Sequence, residues 1–284
     1  MINVMNSIKI FMCCHRSFKV VPPLCIPIQG GTALNEAIDG ALPDNMGVNI
    51  SAKNREYCEL TAHYYAWKNE EAEYYGFCHY RRFFCADEDV VAPYLVKGRL
   101  NADRLQGLLG SEEYWRELIC SFDIIAPRSE DMGLSAREHY ITSKCHYAED
   151  LQLFVDILSV KAPFLADATE EYLGQNRQYF CNMFIMDKKH FFEYCDVLFA
   201  VLEEFDKRKT LHGDFQSDRT DGYLGEIFTG IYIYYCRKNG ARIKELPRLD
   251  VFCPLKKRLG CALLPSESRR RFFVKRLVKK IRGN

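Results

Sequence analysis

Residues 49–84 decide the fold, and they read NISAKNREYCELTAHYYAWKNEEAEYYGFCHYRRFF. The first part has the pattern of a helix that ends near Asn69, and the apolar run at 74–78 predicts a strand. That strand stops at the polar residues 79–82, which read HYRR. Ligands of open α/β sheets bind beyond the carboxyl ends of the strands, and arginine suits phosphate, so this strand end predicts an anion site.

The rest of the chain repeats this alternation of strand and helix. Ser51 or Asn54 can cap the helix that precedes the 74–78 strand. Apolar runs predict further strands at 8–14, 24–28, 122–126, 179–186 and 242–246. Helical patterns cover 100–109, 112–121, 136–147, 148–160, 187–205 and 222–238. Alternating elements of this kind predict one α/β domain with a mainly parallel central sheet flanked by helices.

The composition is that of a soluble globular protein. The chain has 284 residues, of which 48% are hydrophobic and 27% charged, and no apolar run approaches the roughly 20 residues of a membrane helix. The first residues lack the pattern of a signal peptide. The thirteen cysteines are scattered, and Cys13-Cys14 is not a C-x-x-C pair, so we expect reduced thiols and no structural zinc site.

The charge is unevenly distributed along the chain. Residues 255–284 hold eleven Lys and Arg against one acid, about +10, and the net charge of +1 leaves about −9 for the remainder. The end of this tail, RRRFFVKRLVKKIRGN, interleaves apolar and basic residues, as a helix bound to an anionic membrane does. A solubilising tail is the plain alternative, and the acidic body argues against nucleic acid. We therefore divide the chain into a domain at 1–250 and a basic amphipathic C-terminal tail at 251–284.

Several separated blocks carry a resemblance to a known family. They are Asp44-Asn45, Asn49-Ile50-Ser51, Asn54, Tyr57-Cys58-Glu59-Leu60-Thr61, Trp67-Lys68-Asn69, His79-Tyr80-Arg81-Arg82 and Asn182-Met183-Phe184-Ile185-Met186. In these blocks the chain resembles the capsular-polysaccharide-synthesis family catalogued as domain of unknown function 4422, over about residues 7 to 250. The resemblance implies a GT-A-like fold, that of the nucleotide-diphospho-sugar transferases.

The resemblance also implies an activity. It points to a glycosyltransferase, specifically a hexosyltransferase, that takes a sugar from a nucleotide-sugar donor. The donor implied is a UDP-sugar, and UDP-galactofuranose is one to test. The acceptor implied is a saccharide or lipid-linked saccharide that grows into a capsular polysaccharide, exopolysaccharide or lipopolysaccharide. Such an enzyme would lie in the cytoplasm, at the inner face of the plasma membrane, with the basic tail on the anionic surface.

The donor site implied by the resemblance departs from the GT-A pattern. GT-A enzymes usually carry an Asp-x-Asp motif at the strand end where this chain has His79, Arg81 and Arg82. Guanidinium and imidazole could neutralise a diphosphate without a metal, so we assign no metal ligands, and Mn²⁺ or Mg²⁺ stays an open cofactor. The alternative for the cluster is an ion-pair network with Glu59 or Asp87.

Further donor contacts are expected from residues in loops. His15 and Arg16 follow the first strand, where GT-A folds usually touch the nucleotide, although polar residues after a strand are also common at a surface. Asn49 can recognise hydroxyls of the nucleotide or sugar. Its alternative role, like that of Asp44-Asn45 and Ser51, is to form turns and cap helices.

Sugar and acceptor contacts are expected from two later segments. Asn182 stands alone in an apolar strand, in a block that resembles the Tyr-Phe-Asn-x-Gly block of glycogenin-type glycosyltransferases, with Met183 where that block has glycine. Arg219 matches the family's arginine before Gly-Tyr-Leu.

Glu59, among apolar residues, is expected to give structural support by holding Arg81 or Arg82.

Deprotonation of the acceptor needs a base, and carboxylates are concentrated at 212–226, HGDFQSDRTDGYLGE. Asp214, Asp218, Asp221 and Glu226 are the candidates, and we favour Asp221 or Glu226 as the catalytic group. Asp221 can instead cap the following helix.

Two other functions remain as hypotheses: a nucleic-acid-binding protein that uses the basic tail, and a non-catalytic binding subunit. The missing Asp-x-Asp motif is compatible with a non-catalytic subunit that binds carbohydrate or nucleotide in an assembly complex. His139 and His146, seven residues apart, suit metal ligands or, more simply, a solvated helix face.

Overall fold

The structure is a computed structural model that describes residues 7–90, 94–95, 102–213, 219–251, 270 and 273–274. The strands are β1 Ile8–Cys14, β2 Cys25–Gln29, β3 Leu42–Pro43, β4 Tyr74–His79, β5 Arg82–Phe84, β6 Tyr94–Leu95, β7 Ile124–Pro127, β8 Glu130–Asp131, β9 Arg177–Gln178, β10 Phe184–Asp187, β11 Ile243–Leu246 and β12 Arg248–Asp250. The helices are α1 Asn54–Tyr57, α2 Leu60–Asn69, α3 Ala102–Leu109, α4 Glu112–Ser121, α5 Ala136–Ile141, α6 Ala148–Lys161, α7 Ala166–Gly174, α8 Lys188–Arg208 and α9 Thr220–Lys238.

The main sheet is mixed but mainly parallel. Along its central path the strand order is β11-β7-β10-β4-β1-β2-β3, and β10 alone on this path runs against its neighbours. From β1 the chain first builds outward on one side, to β2 and β3, and then returns to place β4 on the other side of β1. The carboxyl ends of β1 and β4 therefore flank a topological switch point, where α/β sheets bind ligands.

Two apolar layers cover the two faces of the sheet. Alternate residues of β1 point to opposite faces, so Phe11 packs in one core and Met12 in the other. The larger core lies under α2, α6, α7, α8 and α9, and the smaller one includes Trp115 of α4. The α/β class with a mainly parallel sheet between helices is thereby confirmed.

Several predicted element bounds are wrong, and backbone geometry explains two of them. The helix expected through residues 54–69 is broken, because Cys58 has φ of +53° and separates α1 from α2. The strand expected at 179–186 begins only at Phe184, because Cys181 and Asn182 both have positive φ. The helix expected at 136–147 ends at Ile141, so His139 and His146 do not share a helix face.

The end of β4 is a hairpin, not a simple strand end. His79 pairs with Arg82, and the chain turns at Tyr80 and Arg81 into β5. An extended strand would have put His79 and Arg81 on one face, whereas the turn places Arg81 at its tip.

None of the eleven cysteines within the described residues forms a disulfide bond. The helices within the same residues include none that is both long and apolar enough to cross a membrane. The basic tail, apart from Val251, Arg270 and residues 273–274, lies outside the described residues, as do Asp214 and Asp218.

Candidate functional site

A cleft opens at the switch point of the sheet, and it has two connected halves. The first half, about 450 Å³, is lined from the ends of β1, β2 and β4 and from α1; its residues include Cys14, Gly30 and Arg55. The second half, about 380 Å³, is lined by the β4–β5 hairpin, the turn at Cys181 and the start of α9. Volumes of this size suit a small-molecule ligand. Five residues line both halves: His15, Cys58, Glu59, His79 and Arg219.

The described lining of the cleft is rich in arginine. It carries five guanidiniums and two carboxylates: Arg16, Arg55, Arg81, Arg82 and Arg219, against Glu59 and Glu226. Walls of one charge concentrate the field in a cleft and attract ligands of opposite charge. The cleft therefore favours an anionic ligand, and arginine gives forked donors that match phosphate oxygens.

The predicted arginines of the hairpin lie in the second half of the cleft. Arg81 is exposed and its guanidinium stands 4.8 Å from the centre of the Tyr80 ring. Arg82 lies 3.9 Å from the buried carboxylate of Asp250. Neither arginine pairs with Glu59 or Asp87 among the described ion pairs, so the alternative interpretation, an ion-pair network with those carboxylates, is wrong.

The two histidines of the cleft favour the neutral form. Burial lowers the pKa of His79 more than the nearby Glu59 raises it. Nε2 of His79 donates to the Cys181 carbonyl oxygen at 2.6 Å, which leaves Nδ1 as an acceptor in the neutral ring. Enclosure by the cleft and the charges of Arg16 and Arg81 lower the pKa of His15. His15 is thus an uncharged contact, 3.3 Å from the Tyr80 hydroxyl.

Glu226 lies at the floor of the second half. One of its carboxylate oxygens accepts a hydrogen bond from the backbone N–H of Cys181. Burial raises the pKa of Glu226 to about 7; the bond from Cys181 opposes this rise, and the neighbouring Glu59 adds to it. A carboxyl group with a pKa near neutrality, open to a cleft, is suited to accept a proton from a substrate hydroxyl.

Asp221 is placed differently, although it begins the same helix. It is fully buried and is not among the residues that line the described cleft. Its Oδ2 accepts from Nζ of Lys209 at 2.7 Å. The same ammonium contacts Glu56 and lies 2.8 Å from Asp206. We call Lys209, Glu56, Asp206 and Asp221 the ionic cluster.

The carboxyl groups of the ionic cluster divide their charge unequally. Although burial opposes it, hydrogen bonds from Lys209, Lys53 and Tyr57 lower the pKa of Asp206 to about 2. Burial raises the pKa of Asp221 to about 7, despite the charge of Lys209. Of these two carboxyl groups, Asp221 therefore holds a proton more easily than Asp206 does.

The ionic cluster is also where a metal ion would be sought. Its three carboxylates lie close enough to one another to hold a cation. The cation present is the Lys209 ammonium, whose side chain is only 7% exposed. A divalent ion would have to displace it, so these residues do not fit a metal cofactor. The end of β4, with His79, Arg81 and Arg82, also lacks the oxygen ligands that Mg²⁺ or Mn²⁺ prefers.

Asn182 and Glu59 form one buried hydrogen-bonded unit. Nδ2 of Asn182 donates to Oε1 of Glu59 at 2.9 Å and to the Gly222 carbonyl oxygen at 3.3 Å. Its Oδ1 accepts from the Thr229 hydroxyl at 3.0 Å. Both hydrogens of the amide are thus bonded within the protein. The expected arginine partner of Glu59 is wrong: its neighbours are Asn182 and, at 4.0 Å, His79.

Some predicted site residues lie elsewhere. The Asn49 amide donates to the carbonyl oxygens of Asn45 and Gly47, so its side chain shapes a turn outside the described cleft lining. Buried Asp44 accepts from the backbone of Gly31 and Thr32. His139 bonds to Gln178, and His146 packs between the rings of Tyr140 and Tyr223.

Sequence reasoning missed several cleft residues, among them Arg55, Cys58 and Asn35. Arg55 and Cys58 belong to the segment that was interpreted as a continuous helix, and Asn35 lies in a loop without a motif. The signal for Arg55 was its place beside Asn54 at the start of that helix. Cys58 lies in one of the blocks that resemble the family, but no role was assigned to it. Burial raises the pKa of its thiol to about 12, so it is a weak nucleophile.

The sheet order and a cationic cleft at its switch point define a GT-A-like fold. Comparison with solved structures supports this class. The apo structure of the bifunctional glycosyltransferase WbbM superposes with a TM-score of 0.81 at 29% sequence identity. The match covers 87% of this chain and 46% of that one, so the chain spans about half of the WbbM protein.

Residues 9–239 match the family described as Domain of unknown function (DUF4422), and the chain belongs to it. The expected family and fold are thus confirmed. No curated protein matches the chain.

Proposed function

We propose that the chain is a glycosyltransferase that moves a sugar from a nucleotide-sugar donor to a saccharide acceptor. The observation that carries the proposal is the arrangement of the cleft, which combines arginines at the sheet edge with Glu226, a carboxyl whose pKa is about 7. The likeness to a bifunctional glycosyltransferase at 29% identity supports it.

The arginines would bind the diphosphate of the donor. Arg16 and Arg55 line the half beside β1 and β2, Arg81 and Arg82 line the other half, and Arg219 lies between them. During transfer, the bond between the anomeric carbon and the diphosphate oxygen breaks, and negative charge grows on the leaving diphosphate. Positive groups already in place stabilise that charge.

Glu226 is the better of the two proposed bases. In the reaction, an acceptor hydroxyl attacks the anomeric carbon, a new glycosidic bond forms, and the hydroxyl proton passes to the Glu226 carboxylate. Asp221 is buried against Lys209 and lacks a described route to the cleft. Since the ionic cluster does not fit a divalent ion, no step in this proposal uses a metal.

Donor and acceptor are proposed by chemical class. The donor would be a UDP-hexose, with UDP-galactofuranose among those to test, and the acceptor a growing capsular polysaccharide, exopolysaccharide or lipopolysaccharide unit. The charge of about +10 on residues 255–284 would hold the enzyme on an anionic membrane, at the cytoplasmic face. Flotation with vesicles of anionic lipid, lost on deleting residues 265–284, tests this attachment.

The first experiment is a thermal-shift and turnover screen with UDP-, GDP-, dTDP- and CMP-sugars, each with Mn²⁺ and with EDTA. We expect stabilisation by one nucleotide class, and transfer that persists in EDTA. Stabilisation without turnover, when acceptor is supplied, would favour the non-catalytic binding subunit. No shift with any nucleotide sugar would overturn the proposal.

A matched pair of variants tests the arginines. The double variant Arg81→Gln/Arg82→Gln should lose at least about 100-fold in turnover while its unfolding midpoint stays close to that of the wild type. The control is Arg116→Gln/Arg137→Gln, which removes two arginines from helix surfaces outside the cleft. Normal turnover in the first double variant would contradict the arginine assignment.

A further inference from the structure

Glu59 lies where the two halves of the cleft adjoin. Of the five residues that line both halves, it is the acidic one, and 17% of its side chain is exposed. The expectation from the sequence was structural support for the arginines. Among the described residues, however, no arginine lies within ion-pairing distance of its carboxylate, so that role does not explain its position.

The backbone on both sides of Glu59 is bent to place it there. Cys58, with φ of +53°, stops α1, so that Glu59 stands at the N-terminus of α2 instead of within a helix. Across the cleft, Asn182, with φ of +46°, turns its amide towards the same carboxylate. Positive φ is unfavourable for residues that carry a Cβ, so these turns persist because tertiary contacts hold them.

A chain of hydrogen bonds fixes one oxygen of Glu59 and leaves the other available. Thr229 donates to Asn182, and Asn182 donates to Oε1 of Glu59 at 2.9 Å. Oε2 has no hydrogen-bond partner within the part of the chain that is described. A carboxylate that lines a cleft, with one oxygen anchored and the other without a described partner, can accept hydrogen bonds from a ligand.

The charge of Glu59 decides which part of a ligand it can contact. A carboxylate repels phosphate, whose place is beside the arginines, and accepts hydrogen bonds from hydroxyl groups. The sugar of a nucleotide-sugar lies between its diphosphate and the attacking acceptor. Glu59 is near both, because it lines the two halves of the cleft together with Arg219 and shares the second half with Glu226.

We propose that Oε2 of Glu59 binds hydroxyl groups of the transferred sugar, and that Asn182 and Thr229 are positioning residues for this carboxylate. The inference rests on the proposed glycosyltransferase function and adds a specificity-determining residue to it. It also changes the role of Asn182, because an amide whose two hydrogens are bonded to Glu59 and Gly222 holds the sugar-binding group instead of the sugar.

The test compares Glu59→Gln with the wild type on UDP-galactose and UDP-galactofuranose and on their deoxyfluoro analogues at each sugar hydroxyl. Glutamine keeps the size and can still accept the bond from Asn182. For the natural donor we expect kcat/KM to fall about 10- to 150-fold, the range for a lost hydrogen bond to a charged group. For the analogue that lacks the contacted hydroxyl, wild type and variant should react at similar rates.

Affinity for UDP alone, measured by calorimetry, separates this proposal from the proposed function. UDP has no transferred sugar, so Glu59→Gln and the wild type should bind it equally. An equal loss on every analogue, or weaker binding of UDP, would overturn the sugar contact. A wild type that neither binds UDP nor reacts with these or the other nucleotide sugars would instead overturn the proposed function, and the Glu59 assignment with it. Thr229→Val should raise KM for the donor a few-fold and leave UDP binding unchanged.

Discussion

Two groups of carboxyl groups lie close together in this fold, yet only one of them lines the described cleft. Glu59 and Glu226 line the cleft, whereas Glu56, Asp206 and Asp221 surround the Lys209 ammonium. Each group holds a carboxyl whose pKa is raised to about 7 by burial, Glu226 in the cleft and Asp221 in the ionic cluster. A raised pKa therefore does not identify a catalytic group without the geometry around it.

The same two segments supply four of these five carboxyl groups, and the fifth, Asp206, lies near the end of α8. Glu56 and Glu59 lie on either side of the left-handed residue Cys58, which turns them in different directions. Asp221 and Glu226 are five positions apart on α9, and at about 100° per residue they point about 140° away from each other. A helix that presents one of them to the cleft must turn the other one away.

The largest expected effect is a loss of kcat that distinguishes the two carboxyl groups of α9. Glu226→Gln should lower kcat about 10²- to 10⁴-fold, because the acceptor hydroxyl loses its base. Asp221→Asn should keep kcat within a few-fold of the wild type, since its carboxyl contacts Lys209 outside the cleft. Steady-state rates at saturating donor and acceptor measure both variants.

The control for this pair is the thermal unfolding midpoint of each variant, which shows whether a lost rate reflects a lost fold. The opposite pattern, with Asp221→Asn inactive and Glu226→Gln active, would exchange the roles of the two groups.

The second effect concerns the ionic cluster and stability. Lys209→Met removes the ammonium that three carboxyls share, and loss of one partner from a buried ion pair typically costs about 3–5 kcal/mol. Urea unfolding at pH 7 measures the change. The matched control is Lys207→Met, which removes an exposed lysine paired with Glu203 on the same helix and should cost less than about 1 kcal/mol. Similar costs for the two variants would show that the cluster does not stabilise the fold.

The third effect is a pH dependence of rate and stability. With a pKa of about 7, Glu226 must lose its proton to act as a base, so kcat should rise with pH and reach half its plateau near pH 7. The folded state binds this proton more tightly than the unfolded state, whose carboxyl has the ordinary value of 4.5. The protonated Glu226 carboxyl thus makes its full contribution to the free energy of unfolding below about pH 4.5, and this contribution is lost as pH rises through 7.

Glu226→Gln should therefore unfold at higher urea than the wild type at pH 8, and at a similar concentration at pH 5. The expected gain at pH 8 is about 2 kcal/mol, since one pKa unit corresponds to about 1.4 kcal/mol and Glu226 is partly solvated. Asp221 is present in the wild type and in Glu226→Gln, and its pKa is raised in the same direction in each, so its contribution to stability cancels in this comparison. A gain that did not change with pH would point to packing instead of charge.

The sequence alone was sufficient to predict the structural features that depend on a local pattern of residues. Strand β1 was predicted with its observed bounds, and residues 79–82 were placed at the sheet edge, because apolar periodicity and a sudden polar cluster are local signals. The choice between Asp221 and Glu226 was left open, since it depends on which face of α9 packs against α1. The role of Asn182 depends on Glu59, 123 residues away, and on Thr229, and a single sequence shows neither contact.

The smallest effect tests the turn that separates Glu56 from Glu59. Cys58 has φ of +53° and ψ of −130°, a conformation that glycine adopts more easily than any residue with a Cβ. Cys58→Gly and Cys58→Ala both remove the thiol that accepts a hydrogen bond from Arg219, so their difference isolates the backbone. We expect the glycine variant to be more stable than the alanine variant by about 1 kcal/mol in urea unfolding. If alanine were equal or better, the turn would carry no strain, and the separation of the two carboxylate groups would need another cause.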